Sequence, residues 1–446
     1  MQPTQQSIDM FPVPWSQQLT RLIGKVTFDI QTEVQRFDAV RFLGIISSRQ
    51  TQLGYAEQDW QAALLASLHL AHQQGWVVLI ASDTPYFEII EHACIRMKVA
   101  WMSLSVVKEP KKSDVIASHH KQNCLGVIRI VPESTEDTHP GLSVQDRSVV
   151  FLSDHLFALH VRKGGAIETL LHQRMEQPEI PSGSTYVAMQ APNFGSPTNS
   201  VTQKHLLEVG AIGWFVSTHT ETSDDIEDVL QYRKRVSNAS QLLVHLETLQ
   251  KRSNRNYLIH ATRARRGPWP DQSLSQFHDE IMHQPWTHKP SVMQTLIRIL
   301  EQQRLIGTLD LRRSKKETVC FSERPIDQLP SMRRFQSHLR RWDWEPYGIM
   351  IEQEWLIEQG AKRVEYISPE EAKHRDLDSL MHCQVVTSHG GKHDWTAEQE
   401  WRIAGDLRLH RVPFEKCFVF VPNDLEARKI QRVSRWPILS LEKAIT

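Results

Sequence analysis

Apolar and polar positions follow two different patterns along this chain. Between residues 41 and 107, continuous apolar runs alternate with amphipathic segments. Runs of this kind predict strands that are buried on both faces, and the amphipathic segments predict helices between them. The strand runs are FLGIISS, WVVLIAS and AWMSLSVV, and the helical segments are EQDWQAALLASLHLAHQQG and TPYFEIIEHACIRMKV. This pattern predicts an α/β architecture with a parallel sheet covered by helices.

Further along the chain the pattern changes. LGVIRIV, SVVFLSD, STYVAMQ and AIGWFVST predict more strands, GGAIETLLHQRM predicts a helix entered from two glycines, and a polar segment over 223–253 predicts a long helix. After Asn254, the short runs TVCFSERP, YGIMIEQEWL, EWRIAGDLRL and KCFVFVP predict an α+β domain with the helix SVMQTLIRILEQQRL. We therefore expect a polar N-terminal arm over 1–37, a parallel-sheet domain over 38–235, a linker helix over 236–253 and a separate α+β domain over 254–446.

Composition restricts the classes of function. The 446 residues carry 52 basic and 52 acidic side chains, so only a local patch can attract an anionic partner. The five cysteines are far apart without a C-x-x-C pair, which is typical of a reducing cytosol. No apolar run is long enough for a membrane span or a signal peptide, and the histidine spacing matches no metal motif. We expect a cytoplasmic chain with no membrane partner and no metal.

Small hydroxyl residues and glycines follow the predicted strands of the first domain. The carboxyl ends of parallel strands meet at one edge of a sheet, so these residues are expected to lie together. Their backbone N–H groups and the partial positive charge of a helix N-terminus suit a phosphate. Binding of a nucleotide-derived small molecule, catalysis on it, and a purely structural packing role all stay open. The expected ligand-binding residues are Ser47, Ser48, Arg49, Asp83, Thr84, Gly164 and Gly165.

Three pieces of this domain carry a family resemblance. LGIISSR, GWVVLIASDTPYFEIIEHAC and VRKGGAIETLL resemble the SMF/LOG-like Rossmann superfamily, which includes DNA-processing protein A and the cytokinin-activating phosphoribohydrolases. The resemblance covers residues 40 to 175 approximately and implies a Rossmann-like nucleotide-binding fold. The second turn reads S-D-T-P where the superfamily has glycines, and Ile167 stands at a third glycine position. These departures favour a degraded phosphate site and argue against hydrolase activity.

Three short motifs in the second domain carry candidate catalytic groups. His260 lies at the end of the apolar run in YLIHATRARRGPWP, and Ser322 ends the strand in TVCFSERP. In HDWTAEQEWR, strand alternation places two carboxylates and a guanidinium on one face. The guanidinium can neutralise its neighbouring carboxylate, which leaves a purely structural ion pair as the alternative. The three groups are Glu398, Glu400 and Arg402.

The order of these motifs resembles the ADP-ribosyltransferase superfamily. Breaking the nicotinamide–ribose bond of NAD builds positive charge on the ribose, and a carboxylate stabilises that charge. The resemblance implies NAD as the cofactor, with His260 and Thr262 as the first motif, Ser322 as the second and Glu400 as the third. Glu398 would then help to select the acceptor. Whether the chain is an enzyme stays open.

A second likeness spans about residues 255 to 422. Cys320 to Pro325, the piece RRWDWEPYGIMI and Trp395 to Arg402 resemble AbiGi-type abortive-infection proteins and related bacterial families. This likeness implies a defence or toxin setting without an established reaction. Within the same region, Thr262, Arg263 and Tyr347 are expected to contact the ligand.

Arginines and tryptophans alternate at two places. One cluster precedes GPWP, and the other lies in MRRFQSHLRRWDW, where helical spacing would put its arginines on one face. Arginines beside aromatic rings suit nucleic acid or a dinucleotide, and a solvated basic face is the alternative. The clusters are Arg252, Arg255, Arg263, Arg265 and Arg266, then Arg333, Arg334, Arg340 and Arg341 with Trp342 and Trp344.

Two functional hypotheses follow. In the first, a nucleotide-sensing Rossmann-like domain controls an effector that transfers ADP-ribose from NAD or cleaves NAD, in a bacterial defence setting. In the second, the chain binds nucleic acid, with or without nuclease activity, through its arginine and tryptophan surfaces and a DNA-processing type of Rossmann fold. A homo-oligomer is compatible with both.

Overall fold

The computed structural model describes residues 22–32, 40–50, 54–107, 121–132, 141–177, 183–189, 197–215, 243–245, 256–286, 290–309, 316–328, 333, 335–336, 341–342, 344–376, 379–385 and 399–442. The chain divides into two compact units. The first comprises Met1–Glu221 and Leu274–Lys289, and the second comprises Thr222–Ser273 and Pro290–Thr446. The units alternate along the sequence, whereas the sequence pattern predicts a single change near residue 254.

The first unit contains an eight-stranded sheet in the order β1-β5-β4-β3-β2-β6-β7-β8. All neighbouring strands are parallel except β1 and β5, which are antiparallel. The strands are β1 Val26–Thr32, β2 Phe42–Ser47, β3 Val77–Ala81, β4 Trp101–Val106, β5 Cys124–Pro132, β6 His155–His160, β7 Thr185–Met189 and β8 Ile212–Phe215. The prediction of a Rossmann-like parallel sheet is confirmed.

Helices cover both faces of this sheet, and every position of the central strands β2 and β3 is therefore buried. They are α1 Gln58–Gln74, α2 Phe87–Met97, α3 Val144–Leu152, α4 Ala166–Met175, α5 Pro197–Glu208 and α6 Leu274–His283. One core packs α3 and α4 on the sheet, and the other packs α1, α2 and α6 on the opposite face. Helix α1 ends where the predicted stop lies, at Gly75, whose φ of 66° is left-handed.

Two segments of the first unit differ from their predictions. The run SVVFL, predicted as a strand, lies in helix α3, and the Ser143 side chain accepts the amide of Asp146 as its N-cap. A fully buried helix and a buried strand both appear as continuous apolar runs, so periodicity does not separate them. Residues 26–32, predicted to belong to an arm, form β1, where alternate buried positions complete the sheet edge.

The second unit contains another eight-stranded sheet, in the order β16-β19-β12-β10-β15-β21-β22-β9. It is antiparallel except for the pairs of β22 with β21 and β9. Its strands are β9 Leu243–His245, β10 Tyr257–Ala261, β12 Thr318–Ser322, β15 Gly348–Glu352, β16 Lys362–Arg363, β19 Glu400–Ala404, β21 Cys417–Val421 and β22 Ile438–Ser440. This unit is the predicted α+β part.

Short helices and ribbons complete the second unit. The helices are α7 Val292–Gln302, α8 Gln353–Glu358, α9 Pro369–Lys373 and α10 Asp424–Ile430. The two-stranded ribbons pair β11 Arg304–Leu305 with β20 Leu407–Arg408, β13 Phe335–Gln336 with β14 Arg341–Trp342, and β17 Glu365–Ile367 with β18 Cys383–Val385. Helices α7, α8 and α10 pack on one face of the large sheet, and a smaller apolar cluster lies on the other.

Two predicted helices of this unit contain strands instead. The expected linker helix over 236–253 includes β9, Leu243–His245, which extends the sheet by pairing in parallel with β22. The arginine-rich segment around residue 335 forms the β13–β14 hairpin, in which Phe335 lies opposite Trp342. The i, i+7 spacing of its arginines is therefore not a helical face. Among the described residues, no helix has the length and apolar character needed to cross a membrane.

Candidate functional site

The order of the first sheet reverses at β2. Strands β3 and β4 follow on one side of β2, whereas β6, β7 and β8 follow on the other. In open parallel sheets such a switch point leaves a crevice beyond the carboxyl ends of the two central strands. By this rule we assign the crevice to the sheet edge after β2, at Ser47 to Arg49, and after β6, at Val161 to Gly165.

The two strand ends are bonded to each other. The amide of Arg162 donates to Ser48 Oγ at 2.9 Å, and the amide of Ser48 donates to the carbonyl of His160 at 2.8 Å. The Ser47 hydroxyl accepts the indole N–H of Trp60 at 3.1 Å. Both predicted serines are buried. They hold the crevice in shape, and the exposed side chains at its rim are basic.

The di-glycine turn opens helix α4 as predicted. Gly164 adopts a left-handed φ of 67°, and a Cβ built on it would meet no atom within 4 Å, so the backbone faces open space there. The Gly164 amide donates to a carboxylate oxygen of Glu168 at 2.5 Å. Backbone N–H groups at a helix entrance attract anions, and Glu168 places an anion at this one.

The end of β3 contributes an acid to the same edge. Asp83 accepts a hydrogen bond from the Gln145 side chain at 2.6 Å, and Thr84 Oγ1 donates to the carbonyl of Ala81 at 2.8 Å. An acid near the end of the second strand of a Rossmann sheet is the usual partner of a ribose hydroxyl. In this structure Asp83 is bonded to Gln145, and Thr84 closes the turn.

Sequence reasoning missed a group of ionisable residues around Arg49. Burial raises the pKa of Asp146, whereas its hydrogen bond with Ser143 and the positive charge of Arg49 lower it. Burial also raises the pKa of Tyr55, with its bond to Gln50 and the Arg49 charge acting in the opposite direction. Arg49 therefore lies within electrostatic range of both groups. Their signal in the sequence is weak, because they come from separate helices and turns.

Two basic residues at the crevice were also missed. Arg162 and Lys163 directly precede the di-glycine and are exposed. Two consecutive basic residues before a glycine turn at the end of a strand can be recognised in the sequence, so these two residues could have been predicted. Together with Arg49 they give the edge three cationic side chains.

The structure brings Ser322 and Glu400, two of the five predicted catalytic residues, together on neighbouring strands of the second unit. Strand β12 lies between β10 and β19, and Ser322 is the register partner of both Ile259 and Glu400. Paired residues point to the same face of a sheet, so Ser322 and Glu400 are neighbours on one face. His260, one residue past Ile259, lies on the opposite face and contacts the Phe321 ring. The strand register thus contradicts the expected convergence of His260 with the other two residues, because one residue changes the face.

His260 is held by the backbone. Its Nδ1–H donates to the carbonyl of Cys320 at 2.9 Å, since a carbonyl only accepts. Burial lowers the pKa of His260 below its usual value, the bond to Cys320 opposes this, and the positive charge of Arg263 adds to it. The imidazole is therefore a neutral, fixed group of the core face.

Glu400 is bound by the predicted arginine. Arg402 Nε and Nη2 donate to its two carboxylate oxygens at 2.9 and 2.8 Å. The guanidinium also donates to the carbonyls of Met381 and Cys383 and to the Gln384 side chain, each at 2.9 Å. This cluster attaches the segment before and within β18 to the large sheet, which is the geometry of a structural ion pair.

The remaining predicted residues are dispersed. The Thr262 amide donates to the carbonyl of Tyr347 at 2.8 Å, and Arg263 is exposed. Burial, together with the nearby charge of Glu426, raises the pKa of Tyr347 to about 12. Glu398 lies outside the described residues, as do Arg252, Arg255, Arg334 and Arg340. In the part of the chain that the structure describes, no three His, Cys, Asp or Glu side chains are grouped as metal ligands.

Comparison with known proteins adds little to these observations. No family model and no curated protein matches the sequence. DNA processing protein A from Streptococcus pneumoniae matches over 47% of this chain and 70% of its own, at 11% identity and a TM-score of 0.31. The same protein from Helicobacter pylori, studied for its single-stranded DNA binding mode, matches over 42% of this chain and 81% of its own, at 14% identity and a TM-score of 0.29. Scores this low support no functional argument.

Proposed function

We propose that this chain binds a ligand built from nucleotides, with single-stranded nucleic acid as the first choice, at the carboxyl edge of its parallel sheet. The observation that carries the proposal is the switch point between β2 and β6. There the backbone bond from Arg162 to Ser48 joins the two loops into one rim. A crevice at this place in the sheet order is where open α/β sheets bind their ligands.

The charges at the rim favour phosphate. Arg49, Arg162 and Lys163 are exposed cations on a chain whose net charge is zero, so they form a local patch. The bond between the Gly164 amide and Glu168 supports an anion position at the entrance of α4. In this proposal Glu168 occupies that position until a phosphate oxygen replaces it.

In this proposal Asp83, at the end of β3, accepts a ribose hydroxyl, as the acid at this position of a Rossmann sheet commonly does. Tyr55 and Tyr86 are buried and pack edge to face with centroids 6.1 Å apart, so they support the strand ends from the core and do not stack on a base. Asp83 is therefore the group that favours a nucleotide over inorganic phosphate. The ligands that fit this chemistry include a nucleic-acid strand and the dinucleotide NAD.

The test compares Arg162→Ala with Lys204→Ala, which removes an equal charge from an exposed position on α5. Binding of labelled oligothymidylate, NAD and inorganic phosphate is measured by anisotropy and calorimetry on the full chain. Arg162→Ala is expected to weaken oligothymidylate binding about tenfold, which corresponds to one charge-assisted phosphate contact. Equal effects of the two variants, or the absence of binding by the wild type, would remove the proposal. Tight binding of NAD with weak binding of oligothymidylate would identify the dinucleotide, and not nucleic acid, as the ligand.

Glu168→Ala is expected to change ligand affinity in the opposite direction to Arg162→Ala. Removing the carboxylate frees the Gly164 amide, so phosphate-bearing ligands are expected to bind more tightly. Thr169→Ala is the matched control, because it truncates the next side chain of α4, whose hydroxyl donates to the Gly165 carbonyl at 3.4 Å, without changing the charge. Weaker binding by Glu168→Ala would show that the carboxylate serves the ligand in another way.

ADP-ribosyl transfer or NAD cleavage in a defence setting is a second candidate, favoured by one observation. Ser322 and Glu400 are direct register partners on neighbouring strands. Two features oppose it: His260 faces the other side of the sheet, and Arg402 binds both oxygens of the Glu400 carboxylate. Incubation with nicotinamide-labelled NAD tests this candidate, because release of nicotinamide that Ser322→Ala abolishes would support it.

A further inference from the structure

The β13–β14 hairpin of the second unit exposes two neighbouring aromatic rings. Phe335 and Trp342 are register partners, and their ring centroids are 5.5 Å apart with planes inclined at 72°. Phe335 is 54% exposed and Trp342 is 37% exposed. Aromatic rings contribute most of their binding energy when a partner covers them. Two such rings on one short ribbon therefore form a compact surface for a flat, apolar group.

An arginine is fixed beside these rings. The Arg333 guanidinium carbon lies 4.2 Å from the centroid of the Trp342 ring. Arg333 Nε donates to the carbonyl of Trp344 at 3.2 Å, and Nη2 pairs with Glu345 at 2.6 Å. These contacts hold the guanidinium against the Trp342 ring and fix the orientation of that ring, while Glu345 neutralises the charge of Arg333.

The charge of the segment identifies the kind of partner. Residues 331–342 read SMRRFQSHLRRW, with four arginines, one histidine and no acid. The partner that matches is anionic and also presents flat apolar faces. Unpaired nucleobases on a phosphate backbone combine both properties, whereas the faces of paired bases are covered by their neighbours in a duplex.

We propose that this hairpin binds single-stranded nucleic acid by stacking an unpaired base on Phe335 and Trp342, while the basic charge of the segment attracts the phosphate backbone. The inference shares with the proposed function only the class of ligand. The crevice at β2 and β6 belongs to the first unit and the hairpin to the second, so each is tested separately.

The decisive variant is Phe335→Leu, which keeps an apolar side chain but removes the planar ring. Phe414→Leu is the matched control, since Phe414 is 53% exposed in the same unit. Anisotropy is measured with labelled oligothymidylate, oligouridylate and an abasic oligomer of the same length. Phe335→Leu is expected to weaken binding of the base-bearing strands roughly tenfold, the size of one base–aromatic stack. Phe414→Leu is expected to bind like the wild type.

Each outcome decides the matter. An equal loss with both base-bearing strands assigns unpaired bases of either nucleic acid, and a loss with one strand assigns that nucleic acid alone. Three results would overturn the proposal: wild-type affinity of Phe335→Leu, an equal loss in Phe414→Leu, or binding of the abasic oligomer as tight as that of oligothymidylate. A protein partner would then be the expected occupant of the two rings. If Phe335→Leu weakens binding and Arg162→Ala does not, the hairpin proposal is supported and the proposed function is refuted. If Arg162→Ala weakens binding and Phe335→Leu does not, the proposed function is supported and the hairpin proposal is refuted.

Discussion

Replacing Glu400 by Gln tests whether this carboxylate supports the fold. Arg402 is 2% exposed and donates two hydrogen bonds to Glu400. Its other acceptors, two backbone carbonyls and an amide oxygen, are neutral. The variant therefore leaves a buried guanidinium without a counter-charge.

The expected cost follows from that geometry. Removing one partner of a buried ion pair costs about 3 to 5 kcal/mol, and the lower end applies because the Gln amide oxygen still accepts one bond. In a unit of this size each kcal/mol lowers Tm by about 2 to 4 °C. We expect Tm of the second unit to fall by roughly 6 to 12 °C in Glu400→Gln.

Thermal unfolding followed by circular dichroism measures this change. Glu415→Gln, at an exposed position of the same unit, is the matched control and is expected to leave Tm unchanged. Removal of a catalytic carboxylate commonly leaves a protein as stable or more stable, because active sites are arranged for function at the expense of stability. A Tm of Glu400→Gln at or above that of the wild type would refute the structural ion pair.

The remaining predictions concern packing and pH. Gly348→Ala is expected to lower the free energy of unfolding, measured in urea, by about 2 to 3 kcal/mol. The reason is that its Cβ would overlap the carbonyl oxygen of His260 and lie 2.6 Å from the Phe420 ring. A variant as stable as the wild type would contradict the tight approach of these strands. Burial lowers the pKa of His278 to about 4. Between pH 6.5 and 4 the unfolded chain therefore binds a proton that the folded chain does not, and the free energy of unfolding falls as pH falls. His278→Gln should make that dependence shallower, and an unchanged pH dependence would show that His278 is not its source.

The parallel sheet could be predicted because its strands are buried on both faces. Runs such as FLGIIS and VVLIA are almost entirely apolar and are buried at every position, and Gly75 ends the helix that follows the first of them. The same criterion led to the wrong prediction of a strand for SVVFL, which is also apolar but lies in α3. The spacing of Ser143 and Asp146 is typical of a helix N-cap, so it indicated that a helix and not a strand begins there.

The candidate sites could be predicted only in part. Residues directly after strands, such as Ser48 and Gly164, were identified because chain order gives strand ends without knowledge of packing. The face of His260 depends on the register of β10 against β12, and a shift of one residue reverses it. The Phe335–Trp342 pair requires a hairpin whose strands are too short to show a period.

The salt dependence of oligothymidylate binding tests the central claim most directly. Each phosphate contact to a single strand contributes about −0.7 to the slope of log affinity against log salt concentration. The account predicts a negative slope for the wild type and a slope shallower by about 0.7 for Arg162→Ala, with Lys204→Ala equal to the wild type. A wild-type slope near zero, or identical slopes for the wild type and both variants, would contradict a phosphate-binding crevice at β2 and β6.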